Sequence, residues 1–158
     1  MPGLNYCVAV RMPPVRRPIA LTAMLLALSL AGCKAEEKFE EEPIKANLRQ
    51  INKAYWTHLG YHDVPPQPEN LRQDVEGLHS LDMGRPADEA LISPRDKQPI
   101  VIIYGADNTT PSQAILAYEK EGAEGTRWVV TMGQDIRELS NEEFAKAKFA
   151  KGHKPDLK

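Results

Sequence analysis

From Pro43 onward, apolar side chains return at three- and four-residue steps. Ile44, Leu48, Ile51, Tyr55 and Leu59 fall on one stripe, leaving Lys45, Arg49, Asn52 and Lys53 outside it. That period predicts an amphipathic helix. Pro43 suits its first turn and Gly60 suits its stop. Val64-Pro-Pro-Gln-Pro68 then breaks the chain. Leu71, Val75 and Leu78 repeat the helical spacing over Glu69 to Leu78, predicting a short second helix that ends near Gly77. Residues 80–98 read as turns, with Gly84-Arg-Pro86 and Ser93-Pro-Arg-Asp96 as the strongest signals.

Beyond Pro99 the pattern changes. Ile100-Val-Ile-Ile-Tyr104 is a continuous β-branched run, as expected of a strand buried on both faces. Ala114–Tyr118, Arg127–Met132 and a short Asp135–Glu138 supply further strands. Gly122 and Gly125 mark the tip between the second and third, and Gly133-Gln134 a tight turn between the third and fourth. Connections this short imply an antiparallel meander. Ser140-Asn-Glu-Glu143 is a capping box, with Leu139 and Phe144 spaced as a hydrophobic staple. A short C-terminal helix is expected to begin there and fray after Gly152. The sum is α+β: a long N-terminal amphipathic helix on a three- to four-stranded meander, then a short C-terminal helix. Residues 43–152 form a single domain on this reading, and 153–158 a disordered tail.

The segment ahead of this domain is of another kind. Residues 1–18 carry Arg11, Arg16 and Arg17 and no acid, and an apolar run from Ile19 to Leu30 follows, interrupted only by Thr22 and Ser29. A helix needs about twenty apolar residues to cross a bilayer core, so this run suits the apolar region of an export signal better. It ends in Leu30-Ala31-Gly32-Cys33. That motif resembles the lipobox of bacterial lipoproteins. The resemblance implies a diacylglyceryl group of palmitate type on the Cys33 thiol, cleavage between Gly32 and Cys33, and N-acylation of the new terminus. Only a thiol forms the thioether, and small neighbours give the peptidase access to the backbone. Residues 1–32 are then a signal peptide and 33–42 a charged tether. Met12-Pro-Pro-Val-Arg-Arg17 would suffice as the cationic start, so translation is expected to begin at Met12 rather than Met1.

Composition sharpens this picture. The 158 residues carry a net charge of −2, and losing three arginines with residues 1–32 takes it to −5. A mildly acidic surface argues against nucleic acid, whose binders cluster basic charge. It also argues against attraction to anionic lipid, leaving the acyl group as the membrane anchor. The two cysteines are Cys7, in the removed segment, and Cys33. The mature domain would therefore hold together without a disulfide. Five glutamates solvate the tether Lys34–Glu42, which at about 3.3 Å per residue reaches roughly 30 Å when extended. By analogy with lipoprotein sorting, Lys34 after the cysteine implies the outer membrane, facing the periplasm.

The helix-on-meander layout resembles the globular part of type II secretion pseudopilins. Leu48-Arg-Gln-Ile-Asn-Lys-Ala-Tyr55 is similar to a pilin-type helix. Ser93-Pro-Arg-Asp-Lys-Gln-Pro99, before an aromatic-ended strand and Gly105, is similar to the segment that enters a pseudopilin sheet. Ile115–Glu119, Gly125–Val130, Gly133 and Glu142-Glu-Phe144 are similar to small bacterial envelope proteins of this type. Three departures count against a filament subunit. Pseudopilins run their hydrophobic helix straight into the globular domain, with a glutamate near its processed end. Here a charged tether intervenes, the apolar run ends in a lipobox, and Met132-Gly133 stands where related sequences favour aspartate-glycine.

Candidate chemistry is sparse, and no catalytic residue, metal or cofactor is expected. His58 and His62 are four apart beside Asp63, a spacing that could serve a metal, but a helix end at Gly60 would spoil their shared face. Gly105-Ala-Asp-Asn-Thr-Thr110 follows a buried strand but has no phosphate-loop lysine, and reads as a hydrated turn with Asx-type bonds. Glu119 and Glu121 read as surface glutamates beside a turn, and Trp56 and Trp128 as one core cluster. The favoured reading is an anchored envelope lipoprotein whose domain binds another protein through an exposed sheet edge or the 105–112 loop. The alternatives are a small periplasmic enzyme with a His/carboxylate site in loops 58–63 and 105–110, and a structural component of a secretion apparatus.

Overall fold

Helix α1 spans Pro43–His62 in a computed structural model that describes residues 41–155. Its stripe is buried as the spacing requires, with Leu48, Ile51 and Tyr55 at 0% exposure. Gly60 does not stop it. The helix runs through that glycine and ends at Asp63, which takes the left-handed conformation (φ 56°) and donates its N–H to the Leu59 carbonyl. Aspartate tolerates this geometry better than most residues, which is why the stop moved.

Asn52 corrects the pattern in a second way. Expected on the outer face, it is 3% exposed and donates to the Thr131 carbonyl at 3.1 Å. Asn47 likewise donates to the Glu89 and Ile92 carbonyls at 3.0 Å each. Gln50 donates to the Val75 and Arg85 carbonyls and accepts from the Arg85 N–H. Amides on the flanks of the apolar stripe thus fasten α1 to three other segments by satisfying their backbone groups.

Helix α2, Pro68–Ser80, packs Leu71, Val75 and Leu78 inward and passes through Gly77 rather than ending there. The turn-rich stretch after it contains a further short helix, α3 (Ala87–Ala90). Pro86 at its N-cap and the Glu76 carboxylate, accepting from Ala87 N–H at 2.8 Å, hold it in place.

The sheet is a four-stranded antiparallel meander in the order β1-β2-β3-β4: Val101–Ile102, Ile115–Tyr118, Thr126–Thr131 and Ile136–Ser140. The first strand is shorter than its apolar run, because the chain leaves the ladder after Ile103, whose N–H still reaches the Leu116 carbonyl, and turns at Gly105 (φ +82°). Both faces of β2 are covered, so all four of its residues are buried. α1 covers one face. Lys45 stands 4.4 Å over the Trp128 ring, and Trp56 donates to the Met132 carbonyl further along. Both tryptophans belong to the one core.

The second face is covered by the end of the chain. The capping box at Ser140 forms as expected and starts helix α4, Asn141–Lys146, with Leu139 and Phe144 buried beneath it. The helix does not continue to Gly152. At Ala147 the chain becomes extended, Lys148 accepts from the Ile115 N–H at 2.8 Å, and Phe149 pairs in parallel with Ile115 before a 3-10 turn at Ala150–Gly152. A vacant backbone donor at the start of β2 wins over helix propagation, and Phe149 is delivered beside Phe144 and Tyr118 at ring separations of 5.1 and 5.8 Å.

Candidate functional site

Gly32 and Cys33, the expected cleavage and lipid-attachment residues, lie outside the described residues. The remaining sequence candidates can be located.

Because α1 runs through Gly60, His58 and His62 do share a face, and their ring centres are 4.4 Å apart. The expected helix end between them does not occur. His58 Nδ1 meets Asp74 Oδ2 of α2 at 2.8 Å. Among the described residues no three His, Cys, Asp or Glu side chains gather in a way that could hold a metal ion. His58 instead joins α1 to α2 while 8% exposed.

The 105–110 loop is an Asx turn. Asp107 Oδ1 accepts from the Thr109 N–H at 2.9 Å and from its hydroxyl at 2.6 Å, while Lys151 reaches Oδ2 at 2.7 Å. The lysine, ahead of the threonine bonds, holds the Asp107 carboxyl well below the usual carboxylate range. Tyr55 donates its hydroxyl to the Ala106 carbonyl at 2.9 Å, and burial pushes that phenol up to about 12. The two candidate loops therefore turn to different partners: His58 to Asp74, Asp107 to Lys151.

Glu119 is where the structure most changes the reading. It is not a surface residue but fully buried, accepting from the Ser93 hydroxyl at 2.6 Å and the Trp128 N–H at 2.8 Å. Arg95 approaches it to 3.4 Å and also binds Glu138, Thr126 and the Ala123 carbonyl. Asp96 completes the knot by accepting from the Glu121, Gly122 and Gln98 N–H groups. Burial opposes ionisation of Asp96, but those backbone donors and the Ser93 hydroxyl outweigh it and hold its carboxyl below the ordinary value. The network clamps the 93–98 turn onto the β2–β3 hairpin. Both carboxylate oxygens of Glu119 are engaged within the protein, so the cluster is a structural lock rather than an open site.

Two larger cavities border the sheet, beside a smaller one of about 190 Å³ at the Gly133 turn. One, about 470 Å³, lies between Arg49, Lys53 and Trp56 of α1 and Val130, Gln134 and Ile136 of the β3–β4 hairpin. The other, about 660 Å³, opens on the face covered by α4, with Tyr118, Arg127 and His153 in its wall. Tyr118 Oη and His153 Nε2 are 2.9 Å apart there. Nothing in the apolar pattern marked this second cavity. The one available signal was an arginine leading the apolar run Trp128-Val-Val130, in a strand that proves buried on both faces.

Comparisons with protein-family models, with curated proteins and with solved structures found no match to this chain.

Proposed function

We propose that the protein is a bacterial cell-envelope lipoprotein, moored by acyl chains on Cys33 and carrying residues 43–152 as an accessory module that binds another envelope protein. The observation that carries this reading is the order of the first 42 residues: a cationic start, a short apolar run, Leu30-Ala-Gly-Cys33 and a glutamate-rich tether. Among the described residues no helix is long and apolar enough to cross a membrane. Two or three acyl chains give stable attachment at about 0.8 kcal/mol per buried methylene, which one chain alone does not. The placement is the outer membrane, facing the periplasm, on the strength of Lys34.

The module reads as a pilin-like domain transferred to a lipid anchor, with α1 laid against β3 in the manner of a pilin helix. Its contact surface is the free edge of β4, where Arg137 and Glu138 are exposed, or the loop over residues 105–112. Charged residues at a free sheet edge discourage indiscriminate strand addition and leave room for a selected partner.

Intact mass of the membrane-extracted protein tests the anchor. The expected product begins at Cys33 and carries diacylglyceryl and N-acyl groups, and Cys33→Ala leaves uncleaved, unacylated precursor. A water-soluble product with a free thiol at position 33 overturns the reading. Crosslinking from Arg137 or Asn108 tests the module, with one reproducible envelope protein as the expected product.

A further inference from the structure

Arg127 is 7% exposed near the start of β3, on the face covered by α4. Its guanidinium carbon stands 4.8 Å over the Phe144 ring, and its Nη1 donates to the Lys120 carbonyl at 2.7 Å. A guanidinium offers five N–H donors and a permanent charge. Its Nε is covered by protein yet has no acceptor among the described residues. None of the ion pairs formed by the described residues includes it. An uncompensated interior charge is costly to fold around, so its retention calls for a counter-charge from elsewhere.

The surroundings of Arg127 say which. Arg127 lines the 660 Å³ cavity together with Lys120 and Lys154, and the acid beside them is Glu121. Three cations against one carboxylate leave an excess of about two positive charges in a chain whose net charge is −2. The stem of Arg127 is fixed by the hairpin itself: at Gly122 (φ +73°) a Cβ would come within 2.6 Å of the Arg127 Cγ, so the backbone closes over the side chain. Val101 and Tyr118 contribute apolar surface to the same wall. Lys45, Arg49 and Lys53, by contrast, stand on the helix that covers the other face of the sheet.

We propose that this cavity binds a soluble phosphate monoester, its dianion seated against Arg127, Lys120 and Lys154 and its organic part against Val101 and Tyr118. A phosphate monoester carries nearly two charges at neutral pH, matching the local excess, where a carboxylate carries one. With Nη1 given to Lys120 and Nε covered, Nη2 is the guanidinium nitrogen left to face the dianion, and the lysines add point charge. The cavity volume falls in the range of small-molecule sites. The inference stands independently of the lipid anchor.

The test is calorimetric titration of the full chain, in detergent, with inorganic phosphate, phenyl phosphate and acetate. Saturable binding of phenyl phosphate, tighter than inorganic phosphate and at least tenfold tighter than acetate, is expected. Arg127→Gln should weaken it at least tenfold, and Lys154→Ala, a surface change that leaves the fold intact, at least threefold. Should Arg127→Gln fail to fold, Lys154→Ala and Lys120→Ala decide the matter. Absence of saturation with either phosphate up to about 10 mM, a range that detects even weak sites, overturns the proposal. So does undiminished binding by all three variants, or equal affinity for acetate. Binding to vesicles containing phosphatidic acid without binding to phenyl phosphate assigns the site to a lipid headgroup and overturns the soluble ester.

Discussion

The two faces of the β-sheet are covered by different means. On α1, apart from His58, which meets the Asp74 carboxylate, the inward polar groups are neutral, and their donors end on backbone carbonyls: Asn47 on Glu89 and Ile92, Gln50 on Val75 and Arg85, Asn52 on Thr131, Tyr55 on Ala106, Trp56 on Met132. Among the acceptors, Asn47 Oδ1 is buried without a partner. On the α4 face the covering is aromatic, with Phe144, Phe149 and Tyr118 edge to face, and it encloses the charged Arg127. A face that only needs to hold satisfies its polar donors internally. A face left with a charge and no counter-charge has stability to gain from a ligand.

That contrast can be broken experimentally. The largest effect is expected on the α1 face: Leu48→Ala removes a fully buried side chain and should cost about 2–5 kcal/mol in urea unfolding. If the faces differ as argued, Arg127→Met on the other face should leave the ligand-free midpoint unchanged or raised, since it removes an unpaired charge and keeps the apolar stem. A loss comparable to that of Leu48→Ala would erase the distinction.

Gly84→Ala probes the amide fastening. A Cβ there would stand 2.3 Å from Gln50 Cδ, so Gln50 must abandon its bonds to Val75 and Arg85, at a cost of about 1–3 kcal/mol. Ser140→Ala removes the capping box on the α4 side and should cost about 1 kcal/mol, read as loss of midpoint at constant slope. Gly60→Ala should be the smallest change and of opposite sign. Nothing lies within 4 Å of its Cβ and the position is helical, so a gain of about 0.5–1 kcal/mol is expected.

Titration sharpens the same comparison. Tyr55 on the α1 face is held neutral, its phenol raised from 10.0 to about 12 by burial. Folding therefore favours the protonated form, and this contribution is fully present below pH 10 and lost as pH rises towards 12. Melting temperature should fall across that window, and Tyr55→Phe should flatten the fall. Asp96 works in the other direction. Its folded carboxyl is depressed, so its contribution is present above the ordinary aspartate range near about pH 4 and lost as pH falls below it. Asp96→Asn should blunt that acid loss.

Much of the architecture was legible in the apolar spacing. The stripe Ile44-Leu48-Ile51-Tyr55 marked α1, the turn glycines marked the meander, and Ser140 to Glu143 marked the start of α4. Apart from the local stop at Gly60, the departures lie where a partner distant in sequence decided the outcome. Gly60 looked like a stop, but the chain had a usable left-handed residue at Asp63. Asn52 looked exposed because an amide is polar, and only the Thr131 carbonyl, seventy-nine residues away, made its burial favourable. Glu119 looked like a surface acid for the same reason, with its donors supplied by Ser93 and Trp128. The Arg127 cavity gave almost no signal, because its parts come from residues 101, 118–121, 127 and the 153–154 segment.

Local order along the chain determined the element types, the capping and the lipobox-like motif, since each depends on residues within a turn or two of one another. Whether a polar side chain is buried and satisfied, buried and waiting, or solvated depends on which carbonyls, donors and charges other segments bring to it. Only the tertiary structure could decide that for Asn52, Glu119 and Arg127.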